Sequence, residues 1–101
     1  MIVEYIRYRL PPERCAEFER AYGLAGEPLL ASPHCQAYEL TRCTEDPTCY
    51  VLRIEWDSAE GHLQGFRRTA DFRTFVQHIQ PFVPSIEEMC HYEAVGVQNR
   101  K

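Results

Sequence analysis

The stretch CQAYELTRCTEDPTCYVLRIEWD, residues 35–57, decides the fold. Two runs rich in Tyr, Leu, Val, Ile and Trp flank Thr44-Glu45-Asp46-Pro47-Thr48, a segment of turn-forming residues. The reading is a short hairpin with strands over Cys35–Cys43 and Cys49–Asp57. Placing Cys43 opposite Cys49 fixes a register: Arg42 faces Tyr50, Leu40 faces Leu52, and Tyr38 faces Ile54. Those pairs make an apolar face. The opposite face carries Thr41 with Val51, Glu39 with Arg53, and Ala37 with Glu55. A slip of one residue would exchange the two faces, so the pattern itself specifies the register.

Working outward, Ile2 to Leu10 alternates as a strand, with Ile2, Ile6, Tyr8 and Leu10 on one face and Val3, Tyr5, Arg7 and Arg9 on the other. Pro11-Pro12 ends it, and from Glu13 the period becomes helical, with Cys15, Phe18, Tyr22, Ala25 and Leu29 on one stripe. Ser32-Pro33 closes that helix. After the hairpin, Asp57-Ser58 offers an N-cap to a helix through His62, Leu63 and Phe66. A second helical piece follows Thr69, with Phe72, Phe75, Val76 and Ile79 on one face, and Pro81 and Pro84 stop it. Ser85 to Val95 reads as the last strand. The order β-α-β-β-α-β predicts an α+β, ferredoxin-like fold with an antiparallel sheet in order 4-1-3-2 and both helices on one face. The domain is expected over residues 1–95, with a polar C-terminal tail over 96–101.

The helices leave one sheet face open, and that face is charged: Arg7, Arg9, Glu39, Arg53 and Glu55 beside Tyr5. It reads either as a solvated surface or as the wall of a polar cavity between two sheets. A chain of 101 residues has a thin margin of stability alone, and association with a second copy is a common remedy. A homodimer through the sheet face is the expected partner arrangement.

A net charge of −4 argues against nucleic acid or an anionic membrane as partner. No apolar run approaches the roughly 20 residues that cross a bilayer. The N-terminus lacks the apolar core of a signal peptide, so the expected location is cytoplasmic. The five cysteines, Cys15, Cys35, Cys43, Cys49 and Cys90, are odd in number and contain no C-x-x-C, which is neither a disulfide framework nor a zinc pattern. Cys43 and Cys49 lie opposite each other and can pair under oxidation; in a reducing cytosol they are two thiols.

Several motifs, in order along nearly the whole chain, resemble the antibiotic biosynthesis monooxygenase family of the dimeric α/β-barrel superfamily. The stretch Glu55-Trp56-Asp57-Ser58-Ala59-Glu60-Gly61-His62-Leu63 resembles its strand-to-helix junction E-W-x-S-x-E-x-H-L. Ser32-Pro33-His34-Cys35-Gln36-Ala37-Tyr38-Glu39-Leu40 resembles its G-C-x-x-Y-E-L entry into strand 2, and Glu45-Asp46-Pro47 its hairpin turn. Gly65 to Phe72 resembles the start of its following helix, although that part carries an insertion after His62. The resemblance implies a homodimer of two sheets packed face to face into a barrel. It also implies cofactor-independent oxygenation of quinol or polyketide-derived aromatic compounds. The superfamily's haem-degrading branch carries an Asn on strand 1, a Trp on the second helix and a later His. Here strand 1 has no Asn and the other two positions read Phe66 and Val76, which argues against haem degradation.

His62 and His91 are the candidate general bases, because an imidazole titrates near neutrality. On β-strand alternation His91 shares a face with Glu87 and Glu93, a setting that can also bind a metal. Arg67, with Arg68 beside it, offers a guanidinium for an oxyanion. Tyr5 and Trp56 offer aromatic surface, although the register also places Trp56 in the core. Arg53 and Glu55 form a candidate charge pair that orients substrate or sets dimer register. His34 and His78 read as loop and helix-surface residues. The functional expectation is a monooxygenase of a small aromatic or quinol-like substrate bound in the barrel cavity, with no cofactor and no metal. The alternatives are a non-catalytic dimeric small-molecule-binding or accessory module and, behind it, haem or metal binding through His62 or His91.

Overall fold

The computed structural model describes residues 1–100. Its four strands are β1 (Ile2–Arg9), β2 (Cys35–Arg42), β3 (Cys49–Trp56) and β4 (Ile86–Glu93), in one antiparallel sheet of order β2-β3-β1-β4. Helix α1 spans Cys15–Ala31 and α2 spans Ala70–Ile79. This is the expected order 4-1-3-2 read from the other edge.

The hairpin register is the one the alternation dictates: Arg42 with Tyr50, Leu40 with Leu52, Tyr38 with Ile54, Glu39 with Arg53 and Ala37 with Glu55. Its turn is held by Asp46, whose carboxylate accepts from the Thr48 amide at 3.1 Å and the Thr48 hydroxyl at 2.6 Å. The Thr48 hydroxyl, followed by Arg9, pulls the Asp46 carboxyl down to about 2. All five cysteines are free thiols.

Under the helices, Phe18 from α1 sits at the centre of an aromatic cluster. Its ring centroid lies 4.7 Å from Tyr8, 5.0 Å from Tyr50, 5.1 Å from Tyr22 and 5.2 Å from Phe82. Edge-to-face and tilted arrangements of this kind suit the ring quadrupoles. The Tyr8 and Tyr22 hydroxyls bond to each other at 2.5 Å, one donating and the other accepting. Burial raises the Tyr8 phenol to about 12 and raises Tyr22 as well, so both stay neutral. The stripe expected for α1 is the buried one, with Phe18, Tyr22, Ala25 and Leu29 all in the core. Thr69 caps α2 by accepting from the Phe72 amide at 3.2 Å.

Three details differ from the sequence reading. The segment through His62, Leu63 and Phe66 is not an α-helix. It is a π-helical turn over Gly61–Gly65 followed by a 3₁₀ turn over Phe66–Arg68. The chain after α2 continues as 3₁₀ turns over Gln80–Ser85, and β4 ends at Glu93 rather than Val95. Finally, β4 carries a bulge. Arg7 pairs with Glu88 but Tyr8 pairs with Ile86, so Glu87 is an extra residue. Its carboxylate turns to the open face and accepts from Arg9 at 2.9 Å, and it therefore does not share a face with His91.

The open face carries the expected charges. Arg7 reaches Glu88 at 3.1 Å, Arg9 also meets Asp46, and Arg53 bonds Glu55 along its own strand at 2.5 Å. Among the described residues no helix is long and apolar enough to cross a membrane.

The aromatic cluster generates a stability prediction. Phe18→Ala is expected to cost about 3–5 kcal/mol of unfolding free energy in urea at fixed protein concentration. Leu24→Ala, on the exposed side of the same helix, should change it by less than about 0.5 kcal/mol. Equal losses for the two variants would mean that the core is not organised around Phe18.

Candidate active site

The site begins where β3 ends. Trp56 is the last strand residue, and the Asp57 amide then donates to the His34 carbonyl at 2.9 Å. The Ser58 hydroxyl accepts from the Gly61 amide at 2.8 Å, so the Asp57-Ser58 cap expected from sequence is present, although it opens a wide turn. That turn folds back over the sheet and lays the His62 imidazole flat on the Trp56 indole, with centroids 4.3 Å apart and planes 11° from parallel. The close return needs glycine. A Cβ on Gly65 would lie 2.4 Å from His34 Cδ2, and one on Gly61 would lie 2.1 Å from Asp57 Oδ1. His34 is fixed there by a 2.8 Å bond from its Nδ1 to Asp57.

Three side chains converge beneath the turn. His62 Nδ1 lies 2.7 Å from His91 Nε2, so one proton is shared between the two rings. On its other side, His62 Nε2 lies 3.7 Å from Glu4 Oε1. Glu4 and His91 are direct cross-strand partners on β1 and β4, and both project toward the helices. The Trp56 indole N–H donates to Glu4 Oε1 at 3.1 Å. Glu4 and His62 are almost fully buried, at 1% and 4% exposure. Burial raises the Glu4 carboxyl, opposed by the Trp56 hydrogen bond and the nearby His91 and Arg67. Burial also holds His62 down to about 3, with Arg67 and His91 adding to the effect, so its imidazole is neutral.

Glu4 and His62 form the polar end of a cavity of about 270 Å³ between sheet and helices. Its walls are otherwise mostly apolar, including Ile6, Ile54, Phe66, Phe75 and Ile79. Trp56 and Arg67 line it as well. The structure thus gathers Trp56, His62 and Arg67 at one cavity and sets His91 against His62. Tyr5, Arg53 and Glu55 lie on the opposite face. There Tyr5 packs edge-on to Tyr92 with centroids 5.3 Å apart, and lines an open groove of about 280 Å³ with Arg7, Val51, Glu88 and Tyr92. The single chain thus carries a half-open pocket on the helix side of the sheet and a more open groove on the charge-bearing side.

Glu4 was not among the residues singled out from sequence. Its signal was nevertheless present: a carboxylate at the one position that breaks the apolar series Ile2, Ile6, Tyr8, Leu10. A charged group on a core-facing strand position is rare unless paired, and its partners come from elements distant in sequence.

The profile of the family described as antibiotic biosynthesis monooxygenase matches residues 1–78. The chain is 25% identical over 79 residues to the uncharacterised protein YczJ of Bacillus subtilis, covering 78% of this chain and 83% of that one. A Bordetella bronchiseptica protein described as a candidate antibiotic biosynthesis monooxygenase superposes with a TM-score of 0.78 at 26% identity, over 93% of this chain and 96% of that one. A variant of SnoaB, a cofactor-independent oxygenase from Streptomyces nogalater, superposes with a TM-score of 0.80 over 98% of this chain and 97% of its own, with the shared fold carried at 15% identity. With the profile spanning β1 through nearly all of α2, the chain belongs to the antibiotic biosynthesis monooxygenase family.

Proposed function

We propose that the protein is a cofactor-independent monooxygenase acting on a small aromatic, quinol-like substrate in the cavity between sheet and helices. The observation that carries this reading is a mostly apolar cavity whose polar end holds the buried Glu4 and His62, with His91 hydrogen-bonded to His62 from the edge strand. An electron-rich ring fits the apolar walls, and its acidic proton meets the end formed by Glu4 and His62. Arg67, on the cavity lining, attracts the oxyanion left when that proton is lost.

A histidine held neutral to about pH 3 is a weak base if it must keep the proton. The pair removes that difficulty. With the shared proton on Nδ1, His62 accepts the substrate proton at Nε2 and passes the Nδ1 proton to His91. No lasting imidazolium then forms in the buried position. His91, on the edge strand β4, hands the proton onward. The substrate anion reacts with O₂ at a ring carbon bearing two hydrogens or a hydroxyl-activated hydrogen. One oxygen atom enters that carbon, the other leaves as water, and the substrate supplies the electrons. No flavin or metal enters this balance.

We also assign the open sheet face to a homodimer, with Tyr5, Arg53 and Glu55 at its contact rather than at the substrate. The support is the pairing of half-buried Arg53 and Glu55 beside the aromatic Tyr5–Tyr92 contact, on a face that the helices leave uncovered.

Three measurements test these assignments. Small quinols should drive O₂ uptake without added cofactor, and His62→Ala or His91→Ala should each lower that rate by about 10²–10⁴-fold. A broad quinol panel with no uptake above background would retire the oxygenase reading and leave a binding module. Nitrogen NMR should show His62 neutral between about pH 5 and 8, with the proton on Nδ1; protonation near the ordinary histidine value would remove the relay. Sedimentation at micromolar concentration should give a dimer that Arg53→Glu weakens, and a monomeric wild-type chain would overturn the interface assignment.

A further inference from the structure

The two histidines of the proton path and Glu4 beside them also have the arrangement of a metal site. One ligand atom from each of Glu4, His62 and His91 lies within 4.8 Å of the other two. Among the described residues, no other trio of His, Cys, Asp and Glu converges in this way. Two of the three are adjacent cross-strand partners, and the third is pressed over them by the Gly61–Gly65 turn.

The donor set is two imidazole nitrogens and one carboxylate oxygen, which suits Zn²⁺, Fe²⁺ and neighbouring divalent transition metals. With ligand bonds of about 2.0–2.2 Å, an ion bound by one ring nitrogen of each histidine and one Glu4 oxygen draws together atoms that already lie within 4.8 Å of one another. The carboxylate is already oriented from outside, because the Trp56 N–H holds Glu4 Oε1. Three protein ligands leave at least one position open, and the cavity beside Glu4 and His62 gives that position room for water or an anionic ligand. The burial that disfavours an ionised Glu4 would be offset by the charge of the ion.

We propose that Glu4, His62 and His91 bind one divalent transition-metal ion, and that the bound ion closes the proton path. The ion takes the nitrogen lone pairs through which the two histidines exchange their proton. Occupancy and base catalysis therefore exclude each other at this site. The binding half of this proposal stands independently of the oxygenase reading; the inhibition half rests on it.

The test titrates the chelator-stripped full chain with CoCl₂ and then with ZnCl₂. Co²⁺ should give visible d–d bands that saturate near one ion per chain, and Zn²⁺ should bleach them. Glu4→Gln and His91→Ala should each weaken binding about 100-fold or more. Trp56→Phe should weaken it about tenfold, through loss of the bond that holds Glu4. His78→Ala, outside the cluster on α2, should leave it unchanged. His91 lies on an edge strand, so its variant keeps the assay informative if Glu4→Gln unfolds. No saturable Co²⁺ bands in folded wild-type protein, or unaltered binding in the His91→Ala variant, overturns the site. In the second arm, saturating Zn²⁺ should suppress quinol-driven O₂ uptake and a chelator should restore it; an unchanged or faster rate overturns the closure. A protein that binds Co²⁺ but consumes no O₂ with any quinol would keep the metal site and retire the oxygenase reading alone.

Discussion

A carboxylate set beneath helices must find partners or lose its charge, and Glu4 is that carboxylate. Leaving it unpaired in an apolar layer would cost several kcal/mol, about 2–7 for a polar group and more for an ion. The fold answers with the Trp56 N–H on one side and two imidazoles on the other. Much else follows from this. Bonding to Glu4 sets the rotation of the Trp56 ring, and the ring's face is the platform on which His62 lies. The flat stacking of His62 then demands a return of the chain tight enough to need Gly61 and Gly65 against His34. A well-packed apolar residue at Glu4 would often serve stability as well or better. The position therefore makes physical sense through what the cluster does rather than through what it adds to the core.

Most of the fold was legible in the sequence, for a simple reason. Residues 35–57 alternate on two strands at once, so a single register satisfies both, and Leu40 with Leu52 and Glu39 with Arg53 could be paired without a structure. The stripe of α1 was readable because it depends on neighbours within a turn or two. The site was legible only in part. His62 and Trp56 stand in a recognisable strand-to-turn junction, but the turn's wide π geometry depends on contacts with His34, far away in sequence. The sequence directs attention to the charged face because charge is visible in a row of letters. The pocket on the helix side is a gap between apolar surfaces, and nothing in a row of apolar letters distinguishes a filled layer from a hollow one. Glu4 was hidden in the same way, as one odd letter within a convincing strand.

The two faces of the sheet thus hold different kinds of chemistry. Arg7, Arg9, Glu87 and Glu88 pair on the open face of the single chain, where solvent screens their attraction. Glu4 and His62 interact where water is largely excluded, and burial there raises the Glu4 carboxyl and lowers the His62 imidazole. Three elements remote in sequence meet at that one point, so the site exists only when the whole sheet is assembled.

The bulge in β4 carries a further consequence. Along an unbroken strand, Ile86 and His91 have opposite parity and must point to opposite sides. Glu87 shifts the phase by one residue, so Ile86 and His91 both reach the helix side. The strand is in effect two short segments written in different reading phases, one anchoring the core and one equipping the site. Were Glu87 instead drawn into regular pairing opposite Arg7 while Ile86 keeps its place, the far segment would turn over. Cys90 and Tyr92 would then face the helix side and His91 would face outward. The identity of the group beside His62 is thus set by the phase of the strand as much as by the residues in it.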